Sequence, residues 1–208
     1  MTWIVFDYAG VISLSPPRDA GALLPQTVGV APERFWPVYW ARREPYDLAE
    51  VTAAEFWDDV CGRLGAPVDA DLVDVLVTLD VRTWSHVNRE TIGLMEELAG
   101  AGNPLALLSN LPVELARTVD ARPWAGLFRH RLFSTDLRLV KPDPEIFRTL
   151  LARLETGPDD VVFVDDREEN VRGAEAAGIR GVLFGDAAGA RAELSGAGFL
   201  GAAGAAAG

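Results

Sequence analysis

Five short strand-like runs decide what this chain can become. They are Trp3-Ile4-Val5-Phe6, Pro104-Leu105-Ala106-Leu107-Leu108, Arg131-Leu132-Phe133-Ser134, Val161-Val162-Phe163-Val164 and Gly181-Val182-Leu183-Phe184. Apolar runs of this length, bounded by turn residues, read as strands buried on both faces. Helical patterns separate the later ones. One lies around Leu115 to Val119. A second opens with Asp143 as cap and Pro144 as first residue, buries Ile146, Phe147, Leu150, Leu151 and Leu154, and stops at Gly157-Pro158. A third runs from Glu168 to Ala177 and is closed by Gly178. Strands alternating with helices predict a parallel sheet covered on both sides, an α/β three-layer Rossmann-like doubly wound fold.

The interval after the first strand has a different character. From about Ala20 to Trp84 there is no strand signal. Pro32 starts one helix. Thr52-Ala53-Ala54-Glu55 has capping-box spacing, with Phe56, Trp57, Val60 and Leu64 on one face and Gly65 as the stop. Leu72, Val73, Leu76 and Leu79 mark another helix between Asp69 and Leu79. An all-helical cap over residues 16–85 is predicted, inserted into a core formed by residues 1–15 and 86–208. Its linkers, near Ser13 to Pro17 and Thr83 to Val87, are natural hinges. The aromatic residues Phe35, Trp36, Tyr39, Trp40, Tyr46, Phe56 and Trp57 read as core of this cap. Ile92, Met95, Leu98 and Ala99 form the helical face that leads back to the sheet. Residues 196–208 are rich in Gly and Ala and read as a frayed tail.

Composition narrows the partners. The net charge is −12 and the pI about 4.6. An acidic surface repels phosphate backbones, so nucleic acid is not expected as a partner. No run of 18 apolar residues suggests a membrane span, and the N-terminus carries no leader pattern. Cys61 is the single cysteine, so no internal disulfide is available. A cytoplasmic location follows as the expectation. Lys141 is the single lysine among many arginines.

Polar residues recur where the strands end: Asp7, Ser109 with Asn110, and Asp165 with Asp166. Lys141 lies in the loop after the third strand. The carboxyl ends of parallel strands share one edge, so these distant positions converge on one crevice. Together they supply a carboxylate nucleophile, hydroxyl and amide donors, a fixed cation and an acidic metal site. That set suits phosphoryl transfer through an aspartyl-phosphate. Mg²⁺, a hard ion that takes oxygen ligands, would bridge the repelling carboxylate and phosphate.

These residues resemble the four motifs of the haloacid dehalogenase-like hydrolase superfamily. The first is Asp7-Tyr8-Ala9-Gly10-Val11, and the second is Leu107-Leu108-Ser109-Asn110. The third is Lys141-Pro142-Asp143-Pro144. The fourth is Phe163-Val164-Asp165-Asp166-Arg167, with Asn170 and Gly178. The helical insertion resembles the family's small helical cap. The resemblance implies Asp7 as nucleophile and Ser109, Asn110 and Lys141 on the substrate phosphoryl group. It also implies Mg²⁺ on Asp7, the Ala9 carbonyl and Asp166, with Asp165 supporting from behind. The substrate would be a small phosphorylated metabolite.

One departure stands out. Family phosphatases carry an Asp two residues past the nucleophile as acid and base, and here that residue is Ala9. A related group with Ala at this place needs a cap lysine for a Schiff base, and this cap has none. Haloacid dehalogenases use no metal and resemble Ser-Asn rather than an acidic pair at the fourth motif. The readings are therefore a Mg²⁺-dependent phosphohydrolase with weakened acid–base catalysis, a non-catalytic protein on the same fold, or a carbon–halogen hydrolase.

Overall fold

The computed structural model describes residues 2–14 and 20–200. The chain begins with β1 (Trp3–Phe6), and five helices follow: α1 (Ala20–Val28), α2 (Pro32–Ala41), α3 (Arg43–Asp47), α4 (Ala53–Leu64) and α5 (Ala70–Thr83). The remainder alternates: α6 (Arg89–Gly100), β2 (Leu105–Ser109), α7 (Val113–Asp120), β3 (Phe128–Phe133), α8 (Ser134–Leu137), α9 (Pro144–Leu154), β4 (Val161–Asp165), α10 (Glu168–Ala176), β5 (Arg180–Leu183) and α11 (Ala187–Gly196).

Among the described residues the strands form one five-stranded sheet in the order β3-β2-β1-β4-β5, every pair parallel. Successive side chains of a strand point to opposite faces. Ile4, Phe6, Leu105, Leu107, Val162 and Val164 therefore join one apolar layer, with Leu94, Met95 and Leu98 of α6 and Leu115 of α7. Val5, Ala106, Leu108 and Phe163 join the other, with Ile146, Phe147 and Leu150 of α9. The chain has the α/β Rossmann-like architecture that its alternating pattern predicts.

Helices α1–α5 bury a third apolar cluster of their own, including Leu24, Phe35, Tyr39, Phe56, Trp57, Val60 and Leu76. Most of the aromatic residues expected in the cap core lie in it, and Cys61 packs there too. Trp40 is the outlier, half exposed at 50%. The capping box at Thr52 forms: Glu55 N donates to Thr52 Oγ1 at 3.3 Å and Thr52 N donates to Glu55 Oε2 at 2.8 Å. Gly65 ends that helix at a φ of +73°, in the left-handed region glycine favours.

Helices α1, α3 and α11 escape the sequence pattern, as does the four-residue α8, each for a physical reason. Helix α1 contains Pro25, a residue that breaks helical periodicity. Helix α3 has five residues, too few to show a period. Helix α11 is built largely of Ala and Gly, with Asp186 as its cap. The third strand begins earlier than expected, at Phe128, because it is an edge strand whose Arg129 and Arg131 point outward. Ser134, expected in that strand, opens α8 instead.

The two segments that join the helical insertion to the sheet run side by side. Ser13 and Val87 form an antiparallel bridge, Leu14 N donates to His86 O at 2.6 Å, and Asn88 N donates to Ile12 O at 2.7 Å. Ser15 to Pro17 lie outside the described residues. Phe199 and Leu200, within the stretch expected as a tail, pack against the apolar layer on the α6 side of the sheet. Asn103 Nδ2 donates to Phe199 O at 2.8 Å. No helix among the described residues is long and apolar enough to cross a membrane.

Candidate active site

The strand order puts β1 at the centre, between β2 and β4. Phe6 is in register with Leu107 on one side and Val164 on the other. Asp7 thus emerges between the strand ends that carry Ser109 and Asp165, at the switch point where such sheets bind ligands. Its backbone N–H is fixed to Val164 O at 2.9 Å.

Two donors converge on one oxygen of Asp7. Ser109 Oγ donates to Oδ1 at 2.6 Å, and Lys141 Nζ lies 2.8 Å from the same atom. The ammonium is shared: Asp165 Oδ2 accepts from it at 2.6 Å. Asp7, Ser109, Lys141 and Asp165 are all buried. Burial raises the Asp7 carboxyl pKa to about 6, and the Asp165 charge adds to the rise, while Lys141 opposes both. Burial alone would lower the Lys141 pKa, but the two flanking carboxylates overcome that and hold it above its ordinary value.

The two adjacent acids have different surroundings. Asp165 Oδ1 accepts from Arg167 N at 2.9 Å and from Asn170 Nδ2 at 3.0 Å, in addition to the Lys141 bond on Oδ2. Its carboxylate is satisfied from within the protein. Asp166 is exposed and turns toward the Asp7 loop. A Cβ on Gly10 would lie 2.0 Å from Asp166 Oδ2, so glycine makes room for that carboxylate. Burial and the Asp165 charge raise the Asp166 pKa. Carboxylate oxygens of Asp7, Asp165 and Asp166 lie within 4.8 Å of one another. Three crowded carboxylates offering hard oxygens are a donor set that fits Mg²⁺.

Asn110 is placed beside the site but is occupied. Its Nδ2 donates to Lys141 O at 3.0 Å, and Lys141 N donates to its Oδ1 at 2.9 Å. The side-chain amide thus clasps the backbone of the lysine loop. From the opposite side α10 closes on the same loop at Gly173, where a Cβ would meet Phe147 at 2.9 Å and Pro142 at 3.0 Å. The Ala9 side chain is only a methyl group, in the turn that bridges to Ser13. Sequence reading assigned no role to Asn170. Its place five residues past Asp165, one turn into α10, was the signal available.

Comparison with known proteins adds independent support. The chain is 24% identical over 152 residues to the sesquiterpene phosphatase astK of Aspergillus oryzae, covering 67% of this chain and 78% of that protein. It is 35% identical over 97 residues to a phosphoserine phosphatase of Thermus thermophilus, covering 45% of this chain but only 38% of that protein. A HAD family enzyme from Bacteroides thetaiotaomicron, solved with magnesium and inorganic phosphate, superposes with a TM-score of 0.70 at 21% identity. That match covers 88% of this chain and 93% of the other. The family model for haloacid dehalogenase-like hydrolases matches residues 1–178, which include Asp7, Ser109, Lys141, Asp165 and Asp166. This chain therefore belongs to the haloacid dehalogenase-like hydrolases.

Proposed function

We propose that this hydrolase cleaves phosphate monoesters of a small metabolite through an aspartyl-phosphate on Asp7. The observation that carries the reading is the buried Ser109–Asp7–Lys141–Asp165 chain of contacts beside the exposed Asp166. Ser109 and Lys141 fix one oxygen of Asp7, so the carboxylate is aimed before substrate arrives. Asp7 attacks phosphorus, the P–O bond to the leaving group breaks, and water then cleaves the acyl phosphate and restores the carboxylate. Lys141 and Ser109 offset negative charge on the phosphoryl oxygens. The phosphatase relatives act on phosphorylated small molecules, as their names state.

Asp7, Asp166 and the Ala9 carbonyl would hold Mg²⁺, while Asp165 keeps Lys141 in place. The bound ion supplies positive charge that lets a phosphate dianion approach a carboxylate. Calorimetry on Asp166→Ala should show weakened Mg²⁺ binding, and unchanged affinity would remove Asp166 from the ligand set. The absence of a carboxylate at Ala9 favours slow turnover, and it is also the observation behind a second reading as a non-catalytic protein. A panel of phosphorylated metabolites and 2-haloacids, assayed with and without Mg²⁺, separates these. Mg²⁺-dependent phosphate release supports the proposal. Halide release would replace it with dehalogenation, and neither product would leave the non-catalytic reading.

A further inference from the structure

Among the described residues, three of the hydrogen bonds between cap and core cluster at α3 and the turn after it. Tyr46 Oη donates to Glu114 Oε2 at 2.7 Å, Arg138 Nη1 donates to Ala49 O at 2.9 Å, and Ser134 Oγ donates to Asp47 O at 2.7 Å. The third differs from the others because Ser134 makes a second bond. Its Oγ accepts from Leu111 N at 3.0 Å. Ser134 is wholly buried at the junction of β3 and α8. A hydroxyl has one proton and two acceptor sites, so a lone pair serves the loop while the proton goes to the cap carbonyl, the nearer of its two acceptors, Leu111 O lying at 3.4 Å.

That segment is Ser109-Asn110-Leu111, the last residue of β2 and the loop that follows it. Its first residue holds Asp7, and its second clasps the backbone of Lys141. On the cap side, Asp47 is not free to drift. Arg43 Nε donates to its carboxylate at 2.7 Å and Arg43 Nη1 reaches Asp80 at 3.4 Å. Tyr39 Oη donates to Asp80 at 2.7 Å, so α3 is tied to α2 and α5. A continuous set of polar contacts thus runs from the cap interior through one buried hydroxyl to the loop that aligns the nucleophile and the lysine. Removing the hydroxyl would leave a buried N–H and a buried carbonyl unpaired, one on each side of the junction.

We propose that Ser134 is a positioning residue that couples the seating of the cap on the core to the alignment of Ser109 and Lys141. With α3 seated, Ser134 is oriented by Asp47 and holds the loop; with α3 lifted, the loop loses its orienting partner. The effect on turnover rests on the phosphohydrolase reading above, whereas the coupling itself does not.

The test compares Ser134→Ala with Arg138→Ala in the full-length protein. Arg138 joins the cap to the core without touching the loop. The first readout is backbone amide exchange by NMR. Leu111 N–H loses its acceptor directly in Ser134→Ala, so the informative probe is Lys141 N–H, which is bonded to Asn110 rather than to Ser134. Faster exchange at Lys141 is expected in Ser134→Ala and not in Arg138→Ala. The second readout is hydrolysis of p-nitrophenyl phosphate with Mg²⁺. Ser134→Ala should lower kcat about tenfold with a smaller change in KM, and Arg138→Ala should change kcat less than about twofold. If Ser134→Ala does not fold, Ser134→Cys, similar in size but a weak donor and acceptor, carries the same comparison. Unchanged Lys141 exchange in a folded Ser134 variant overturns the proposal. Equal effects of the two substitutions on exchange and kcat overturn it as well. Absence of turnover in the unmodified protein defeats the phosphatase reading instead, and the exchange comparison then decides the coupling.

Discussion

Asp166 and Gly10 occupy each other's space: a Cβ on Gly10 would lie 2.0 Å from Asp166 Oδ2 and 2.5 Å from its Cγ. Gly10 also has a φ of +78°, in the left-handed region. Gly10→Ala should therefore do two things. Backbone strain should lower stability by about 1–2 kcal/mol, measurable by urea denaturation. The displaced Asp166 should weaken Mg²⁺ binding, measurable by calorimetry. A Gly10→Ala protein with native stability and native Mg²⁺ affinity would show that the two residues do not constrain each other.

Asp7→Asn should abolish turnover while the protein stays folded. The amide matches the carboxylate in shape but is a poor nucleophile. Lys141 keeps Asp165 as its partner, so the buried cation is not stranded. Thermal unfolding followed by circular dichroism should show a cooperative transition near that of the native protein. Turnover at the native rate in a folded Asp7→Asn protein would end the covalent mechanism.

Ala9→Asp should raise turnover on alkyl phosphates. A positioned acid contributes about 10²–10⁴-fold, but one grafted without supporting hydrogen bonds should give about tenfold. Aryl phosphates, whose leaving groups are already stable anions, should gain little. The measurement is kcat on one alkyl and one aryl phosphate in both proteins. Alkyl turnover that is unchanged or lower in a folded variant that binds Mg²⁺ would argue against the phosphatase reading.

The buried Arg43–Asp47–Asp80 cluster should make stability depend on pH. Two carboxylates share one guanidinium, and burial raises the pKa of both despite Arg43, with Asp80 adding to the rise at Asp47 and Glu114 to the rise at Asp80. A carboxyl with a raised folded-state pKa binds its proton more tightly when folded. Its contribution is therefore favourable at low pH and is lost as pH climbs from the ordinary carboxylate range toward the raised value. Asp47→Asn removes one of these groups and should flatten the decline in stability as pH rises above about 4. The check is the difference between native and variant urea midpoints across that range. A slope identical in the two proteins would mean that Asp47 titrates alike folded and unfolded.

Amide exchange can also test the linker ribbon. Leu14 and Asn88 donate across it to His86 and Ile12. If the cap swings as a unit pivoting beyond this ribbon, those two amides should be better protected than the Tyr46 and Arg138 contacts are persistent. Rapid exchange at Leu14 and Asn88 would place the hinge within the ribbon itself.

What the sequence determined is what short-range physics encodes. The apolar runs of β1, β2 and β4 could be satisfied only by burial on both faces. Asp143 with Pro144, and Thr52 with Glu55, mark helix starts because a cap needs only residues within one turn. Parallel order then forces Asp7, Ser109, Lys141, Asp165 and Asp166 toward one edge, so the membership of the site was legible without coordinates. The tertiary structure decided how those groups divide their hydrogen bonds. Ser109 and Asp7 are 102 residues apart, Asn110 and Lys141 are 31 apart, and Ser134 reaches Asp47 across 87. No local pattern marks such pairs. Asn110 was expected to face the substrate, but its amide closes on a backbone that only the folded chain brings near. Ser134 read as the end of a strand, and its hydroxyl gains the Leu111 amide when the core packs and the Asp47 carbonyl when the cap meets the core. Hydrogen-bond partnership within a buried site is a property of distances in space, which the order of residues leaves open until the layers have packed.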